Sequence, residues 1–260
     1  MMYGAIIGDI AGSRFEFNNI KTKEFETFTD DCFFTDDTVA TIAVALALKV
    51  SEGGEWEGLK EATKCTLGQL GMRHPNVGWG WKFYHEWLKS PDKKPYYSFG
   101  NGAAMRVSPV AWVARSEEEA SKLAHDVTCI THNHPEGLKA AEVVTKLIWM
   151  ARHGSNKDEI YMVARQYYNI DFTLDDIRPV YLHSEASQDT VPESIVAFLD
   201  STDFEDAIHN AISIGGDSDT IAAIAGSIAE AYYGVPEWMK EVALKYLTPD
   251  LRNLVEKLDK

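Results

Sequence analysis

The sequence predicts an all-α fold. Apolar residues recur at helical spacing along most of the chain, alternating β patterns are short and few, and two helical segments are rich in small residues that let helix axes approach closely. The 260 residues are 45% hydrophobic and 25% charged, an ordinary globular balance that excludes a mainly disordered chain. No Gly/Ser-rich or Pro-rich linker, fixed-period repeat or low-complexity tract interrupts it, so one domain over residues 1–260 is expected.

The elements follow in order. Gly4 to Glu16 is an apolar helix in which Gly8, Gly12 and Ser13 would admit another backbone. Asp9 interrupts its apolar run and is expected to bond a neighbouring loop. A long loop covers Asn18–Phe34. After Thr35-Asp36-Asp37, residues Val39, Ile42, Ala43 and Leu46 trace one helix face. Thr41 to Val50 is also compatible with a buried strand, but its length and its alanines favour helix. Trp79 and Trp81 are expected to fill core space. A second long loop, Ser90–Gly100, leads into a glycine-rich turn and helix at Ser98-Phe99-Gly100-Asn101-Gly102-Ala103-Ala104-Met105-Arg106. Ser116 with Glu119 reads as a capping box opening a helix toward Ile130. Glu136–His153, Lys157–Tyr168 and Pro192–Leu199 are helical in pattern. After Asp217-Ser218-Asp219 the helical spacing returns at Ile221, Ile224, Ala225 and Ile228, and Gly234 and Pro236 end it. The helices after Thr35 and after Asp217 are the small-residue pair, and both are expected at the centre of the bundle.

Charge narrows the function. Lys+Arg is 25 against Asp+Glu 40, a net charge of −15. Such a surface repels nucleic-acid backbones and anionic membranes. The three cysteines fit neither a disulfide framework nor a metal knuckle, which suits a reducing compartment. No signal-peptide pattern opens the chain, and the longest apolar run, Val39 to Val50, is short of a membrane span. A soluble cytoplasmic protein is expected.

Two acidic clusters carry the chemistry: Thr35-Asp36-Asp37-Thr38 and Gly216-Asp217-Ser218-Asp219-Thr220. Either alone is as well explained by helix capping. Brought together, four carboxylates would repel one another and demand protons or cations. Carboxylates with Thr hydroxyls are hard oxygen ligands for Mg²⁺, Mn²⁺ or Ca²⁺. Glu16 is either surface charge or an acid/base aimed at a cleft. The Gly100–Gly102 turn suits a phosphate or serves as a plain helix-opening turn. In Thr131-His132-Asn133-His134-Pro135-Glu136, His132 is expected to contact a ligand or to fix a loop.

With Gly8-Asp9 through Glu16, Thr35-Asp36-Asp37-Thr38, Gly100 to Arg106, Thr131-His132 and Gly215 to Thr220 in this order, the sequence resembles the ADP-ribosylglycohydrolases. The resemblance runs to about Gly234, with no matched motif from about Gly154 to Asp206. It implies a compact orthogonal multi-helix bundle with two divalent cations, Mg²⁺ or Mn²⁺. By motif position it implies metal ligands Thr35, Asp36, Asp37, Asp217, Asp219 and Thr220, with Glu16 or Asp37 as catalytic carboxylates. Ser98, Gly100, Asn101, Gly102, Met105 and His132 would bind the ADP-ribose part of a modified protein or small molecule. The competing readings are another two-metal nucleotide or phosphoester hydrolase, and a non-catalytic ADP-ribose-binding or structural protein.

Overall fold

The computed structural model describes residues 2–54 and 56–259. In chain order the α-helices are α1 (Tyr3–Gly12), α2 (Asp36–Ser51), α3 (Leu59–Arg73), α4 (Ser108–Val113), α5 (Glu117–Thr128), α6 (Pro135–Arg152), α7 (Lys157–Ala164), α8 (Leu174–Ile177), α9 (Ser187–Leu199), α10 (Phe204–Ser213), α11 (Ser218–Tyr233), α12 (Glu237–Tyr246) and α13 (Pro249–Leu258). Among the described residues there is no strand, only an isolated antiparallel bridge between Gly100 and Ala186. Among the described residues no helix is long and apolar enough to cross a membrane.

Helix α11 is the centre. Every residue from Ser218 to Glu230 is buried, and α1, α6, α9 and α10 pack around it. Its tightest partner is α1. Glycines at positions 4, 8 and 12 place one bare face of α1 on α11: a Cβ on Gly4 would lie 2.1 Å from the Gly226 carbonyl oxygen, and one on Gly8 2.2 Å from that of Ala222. The small residues therefore bring backbone onto backbone, as the sequence predicts for Gly8 and Gly12.

The sequence pairs α2 with α11 as central neighbours, and here the structure differs. Helix α2 packs mainly on α3, while α1 takes the place beside α11. The two N-termini nevertheless meet at one end. Asp9 acts as predicted, and fully so. Its carboxylate accepts from the Thr35 N–H (2.9 Å), the Thr35 hydroxyl (2.8 Å), the Thr38 N–H (3.1 Å) and the Thr38 hydroxyl. Helix α1 thereby holds the first turn of α2.

Smaller differences have local causes. Ser116 caps α5 by accepting from the Glu119 N–H, but the Glu119 carboxylate turns to the Arg115 N–H and the Trp56 indole, so the capping box is incomplete. The reciprocal box forms instead at Asn156 and Glu159 on α7. Helix α9 begins at Ser187, five residues before the Pro192 that the pattern suggested as its start. Trp81 is not core: it is 67% exposed. Trp79 is half-buried and stacks on Phe83, with ring centroids 4.7 Å apart.

Candidate active site

The N-termini of α2 and α11, the segment after α1, and the turn at 98–106 enclose a cleft of about 320 Å³. Glu16, Asp36, Asp37, Asp217, Asp219 and Thr220 line it, with Ser98, Gly100, Asn101, Gly102, Met105 and His132. Of the candidate metal, catalytic and ADP-ribose-binding residues, only Thr35 is outside the lining. It is the N-cap of α2, and its hydroxyl is turned to Asp9.

The carboxylates are crowded. Single oxygens of Glu16, Asp217 and Asp219 lie within 4.8 Å of one another. The Thr220 hydroxyl donates to Asp37 Oδ2 at 3.1 Å, joining the two acidic clusters. Burial pushes Asp219 well above the ordinary carboxylate range, and Asp217, Asp37 and Glu16 push it further. Burial does the same to Asp37, helped by Asp9, Asp36 and Asp217, and to Asp36. Glu16 is pushed up to about 7, first by burial and then by Asp217, Asp9 and Glu185. The repulsion is largely unanswered. Asp37 Oδ1 and Asp219 Oδ1 are buried with no hydrogen-bond partner. Buried carboxylate oxygens are normally satisfied, so these two residues of the cleft lining are ones that could hold a cation. The donors are oxygen only, the set that suits Mg²⁺ or Mn²⁺.

Asn101 has a second duty. Its Nδ2 donates to Asp217 Oδ2 at 2.6 Å, so this amide orients a carboxylate as well as lining the cleft. The turn that carries it is held by the Asn101 N–H to the Glu185 carbonyl (2.8 Å) and the Ser187 N–H to the Phe99 carbonyl (3.0 Å). The Ser98 hydroxyl accepts from the Gly100 N–H at 3.2 Å.

His132 is buried, and its protonation is set by what lies behind it. Arg106 donates to the Thr131 hydroxyl at 2.7 Å and also faces His132 Nδ1 at 3.5 Å. Thr131 Oγ1 is 2.7 Å from the same Nδ1. A guanidinium only donates, so Nδ1 is the acceptor and Nε2 carries the hydrogen. Burial, then Arg106, hold His132 well below its ordinary pKa, so the ring is neutral. Nε2 stands 3.2 Å from where a Gly102 Cβ would be, and a side chain there would crowd this donor.

Sequence reasoning missed part of the wall. Gly78, Trp79, Gly80, Trp81, Lys82, Phe83 and Tyr96 also line the cleft. The Val77 carbonyl accepts from the Asp36 N–H at 2.8 Å, which brings Gly78 against Asp36. The glycines flanking Trp79 were the available signal. A second donor group, His125, Asp126 and Cys129, lies at the end of α5, but Lys60 already supplies a cation 3.1 Å from Asp126.

Several known proteins are similar to this chain. ADP-ribosylarginine hydrolase Tri1 of Pseudomonas putida (strain GB-1) is 31% identical over 55% of this chain, which is 42% of that protein. ADP-ribosylhydrolase ARH3 of Homo sapiens is 23% identical, covering 95% of this chain and 89% of its own. The ADP-ribosyl-[dinitrogen reductase] glycohydrolase of Rhodospirillum rubrum is 29% identical over 61% of this chain and 55% of its own. A solved structure described as an ADP-ribosylglycohydrolase-related protein complex superposes with a TM-score of 0.68 at 21% identity, covering 98% of this chain and 94% of that one, and so shares the fold. A sequence model of the ADP-ribosylglycohydrolases matches residues 1–260 without a break, and the chain belongs to that family.

Proposed function

We propose that the protein is a metal-dependent hydrolase that cleaves the ribosyl C1 bond of an ADP-ribosylated protein or small molecule and releases ADP-ribose. The observation that carries this reading is the pair of orphaned carboxylate oxygens, on Asp37 and Asp219, in the same cleft as the Gly100–Gly102 turn and the His132 donor. Asp36, Asp37, Asp217, Asp219 and Thr220 would hold Mg²⁺ or Mn²⁺. When bound, such ions supply Lewis-acid polarisation and orient sugar hydroxyls.

The chain's own residues do the rest. The Gly102 backbone N–H and His132 Nε2–H donate to the diphosphate and distal ribose, because the N–H groups of Gly100 and Asn101 already serve Ser98 and the Glu185 carbonyl. Asn101 keeps Asp217 turned into the cleft. Water adds to C1 as the bond to the acceptor breaks, through a state with oxocarbenium character. Glu16, on the cleft wall beside Asp217 and Asp219, takes the water's proton and passes it to the departing acceptor group, so that one water is consumed and the carboxylate is restored.

The test is initial-rate release of ADP-ribose from a panel of ADP-ribosylated substrates with Mg²⁺, Mn²⁺ or EDTA. EDTA-sensitive release from one linkage supports the reading and identifies the acceptor. Asp36→Ala and Asp219→Ala are each expected to abolish turnover with unchanged circular dichroism. Wild-type turnover in either would remove the metal assignment. Binding of ADP-ribose without release from any linkage favours a binding module, and release of phosphate favours a phosphoester hydrolase.

A further inference from the structure

Asn19 lies in the long loop after Glu16 and belongs to none of the sequence motifs. Its side chain nevertheless joins the two segments that bring the candidate carboxylates together. Nδ2 donates to the carbonyl oxygens of Phe15 (2.6 Å), Glu16 (2.9 Å) and Gly216 (2.9 Å). Oδ1 accepts from the Gly216 N–H at 2.8 Å. An amide nitrogen has two hydrogens, so one of these bonds is shared, and every polar atom of the side chain is in use.

The target of that grip is the glycine turn that leads into α11. Gly215 and Gly216 have φ of +71° and +78°, a region that side chains disfavour, so the turn has none of its own to pack. Asp217 follows directly as the N-cap of α11, and its side chain makes no capping bond. Asn19 takes both backbone polar groups of Gly216, as a strand partner would. Two residues on, Lys21 Nζ donates to the carbonyls of Ile214 (2.5 Å) and Tyr181 (2.8 Å), so the loop holds the turn at a second point. The loop does not depend on Asn19 for its own attachment. Lys23 pairs with Asp206, Thr27 bonds Glu205 (2.5 Å), and the Tyr246 hydroxyl donates to the Thr29 carbonyl (3.0 Å).

We propose that Asn19 is a positioning residue for the hydrolysis: by holding Gly216 at both backbone groups and the Glu16 carbonyl at once, it sets the spacing between Glu16 and Asp217–Asp219. The role rests on the hydrolase reading above. It matters because chemistry at C1 needs the proton acceptor and the sugar-orienting carboxylates in fixed relation. A misplacement of about 1 Å costs roughly a hundredfold in rate. Asn19 itself does not line the cleft. Its loss should therefore act on the chemical step and leave ground-state binding nearly unchanged.

The experiment compares Asn19→Ala, Asn19→Asp and Lys23→Ala with wild type in steady-state ADP-ribose release, thermal unfolding and amide hydrogen exchange. Asn19→Ala is expected to lower kcat roughly tenfold to a hundredfold while KM stays within about threefold. Its Gly216 amide should exchange at least roughly tenfold faster, with amides of α6 unchanged. Asn19→Asp keeps the acceptor for the Gly216 N–H but loses the donor to all three carbonyls and adds a charge near Glu16 and Asp217, so its kcat should fall at least as far. Lys23→Ala, in the same loop but remote from Gly216, should keep wild-type kcat. The proposal is overturned if Asn19→Ala retains kcat within about twofold, raises KM alone, or loses kcat no more than Lys23→Ala. Active wild type beside an unimpaired Asn19→Ala removes the positioning role alone. Wild type that releases no ADP-ribose from any linkage removes the hydrolase reading and the role with it.

Discussion

Gly8→Ala is the sharpest probe of how the two site-bearing segments are assembled. The added Cβ would lie 2.2 Å from the Ala222 carbonyl oxygen, 2.3 Å from its carbon and 2.5 Å from the Ala223 nitrogen. All three are backbone atoms of α11, which no rotamer change can move. Restoring ordinary contact at 3.4 Å or more requires α1 and α11 to part by about 1 Å, and the neighbouring approaches of Gly4 to Gly226 and Gly12 to Asp219 must open with them. Overpacking of this kind costs ~3 kcal/mol, at the upper end of its usual range, because the clash cannot be relieved by side chains. Alanine returns ~1 kcal/mol of helix propensity. The net loss is about 2 kcal/mol, or a fall in Tm of roughly 4–8 °C for a chain of this size. Thermal and urea unfolding measure it, with Gly53→Ala as control, since a Cβ there meets nothing within 4 Å. A Gly8→Ala protein as stable as Gly53→Ala would refute the backbone-contact argument.

Three more outcomes are expected. Asp9→Asn presents an amide N–H to the N–H groups of Thr35 and Thr38 and should lose about 2–3 kcal/mol in urea unfolding; an unchanged midpoint would show that Asp9 does not clamp α2. Asp219→Asn should abolish turnover with Mg²⁺ or Mn²⁺ present and, in EDTA, raise Tm above EDTA-treated wild type, because it removes one like charge from a buried group of carboxylates; a lowered Tm would contradict the repulsion. Burial, and then Asp189, push the Glu193 carboxyl on α9 up to about 8 from 4.5, and its buried Oε2 has no hydrogen-bond partner. A folded pKa above the unfolded one means that the protonated form stabilises the fold: the contribution is full below pH 4.5 and is lost as pH rises through about 8. Glu193→Gln should therefore be more stable than wild type at pH 8.5, on the order of 4 kcal/mol, and within about 1 kcal/mol at pH 5, by urea midpoints; a constant difference between those pH values would reject the assignment.

The legible part of this protein is the part with local signatures. Helical spacing located α2 and α11, and their acidic openings drew attention to the site before any geometry was known. Asp9 was legible as a misfit in an apolar run. The pairing of helices was not, because alanine-rich α2 and α11 carry the same pattern while the decisive closeness belongs to the three glycines of α1. Periodicity reports which face is buried and not against what. Trp81 was misplaced for the same reason: a large ring is usually interior, and only the fold puts the Gly78–Phe83 segment on the wall of the cleft. The double duty of Asn101 and the grip of Asn19 on Gly216 depend on contacts across more than one hundred positions, for which no local spacing rule exists.

One distinction separates the acids at this end of the bundle, and it is hydrogen-bond satisfaction. Asp9, Asp37 and Asp219 are equally buried carboxylates on adjoining helix ends. Asp9 receives four donors from Thr35 and Thr38, so its charge is answered within the chain and its role is to hold α2. Asp37 and Asp219 each keep one oxygen with no donor at all. A fold under selection for stability alone would pair or remove these two groups, since an unanswered buried carboxylate costs several kcal/mol. Their retention beside a neutral His132 donor and a glycine turn is explained if a cation completes them and an anionic ligand follows it into the cleft. Titration of the EDTA-treated protein with Mn²⁺ should then raise Tm in wild type and in Glu193→Gln alike, and fail to raise it in Asp219→Asn. An equal rise in Asp219→Asn would mean that the ion binds elsewhere, and the orphaned oxygens would need another explanation.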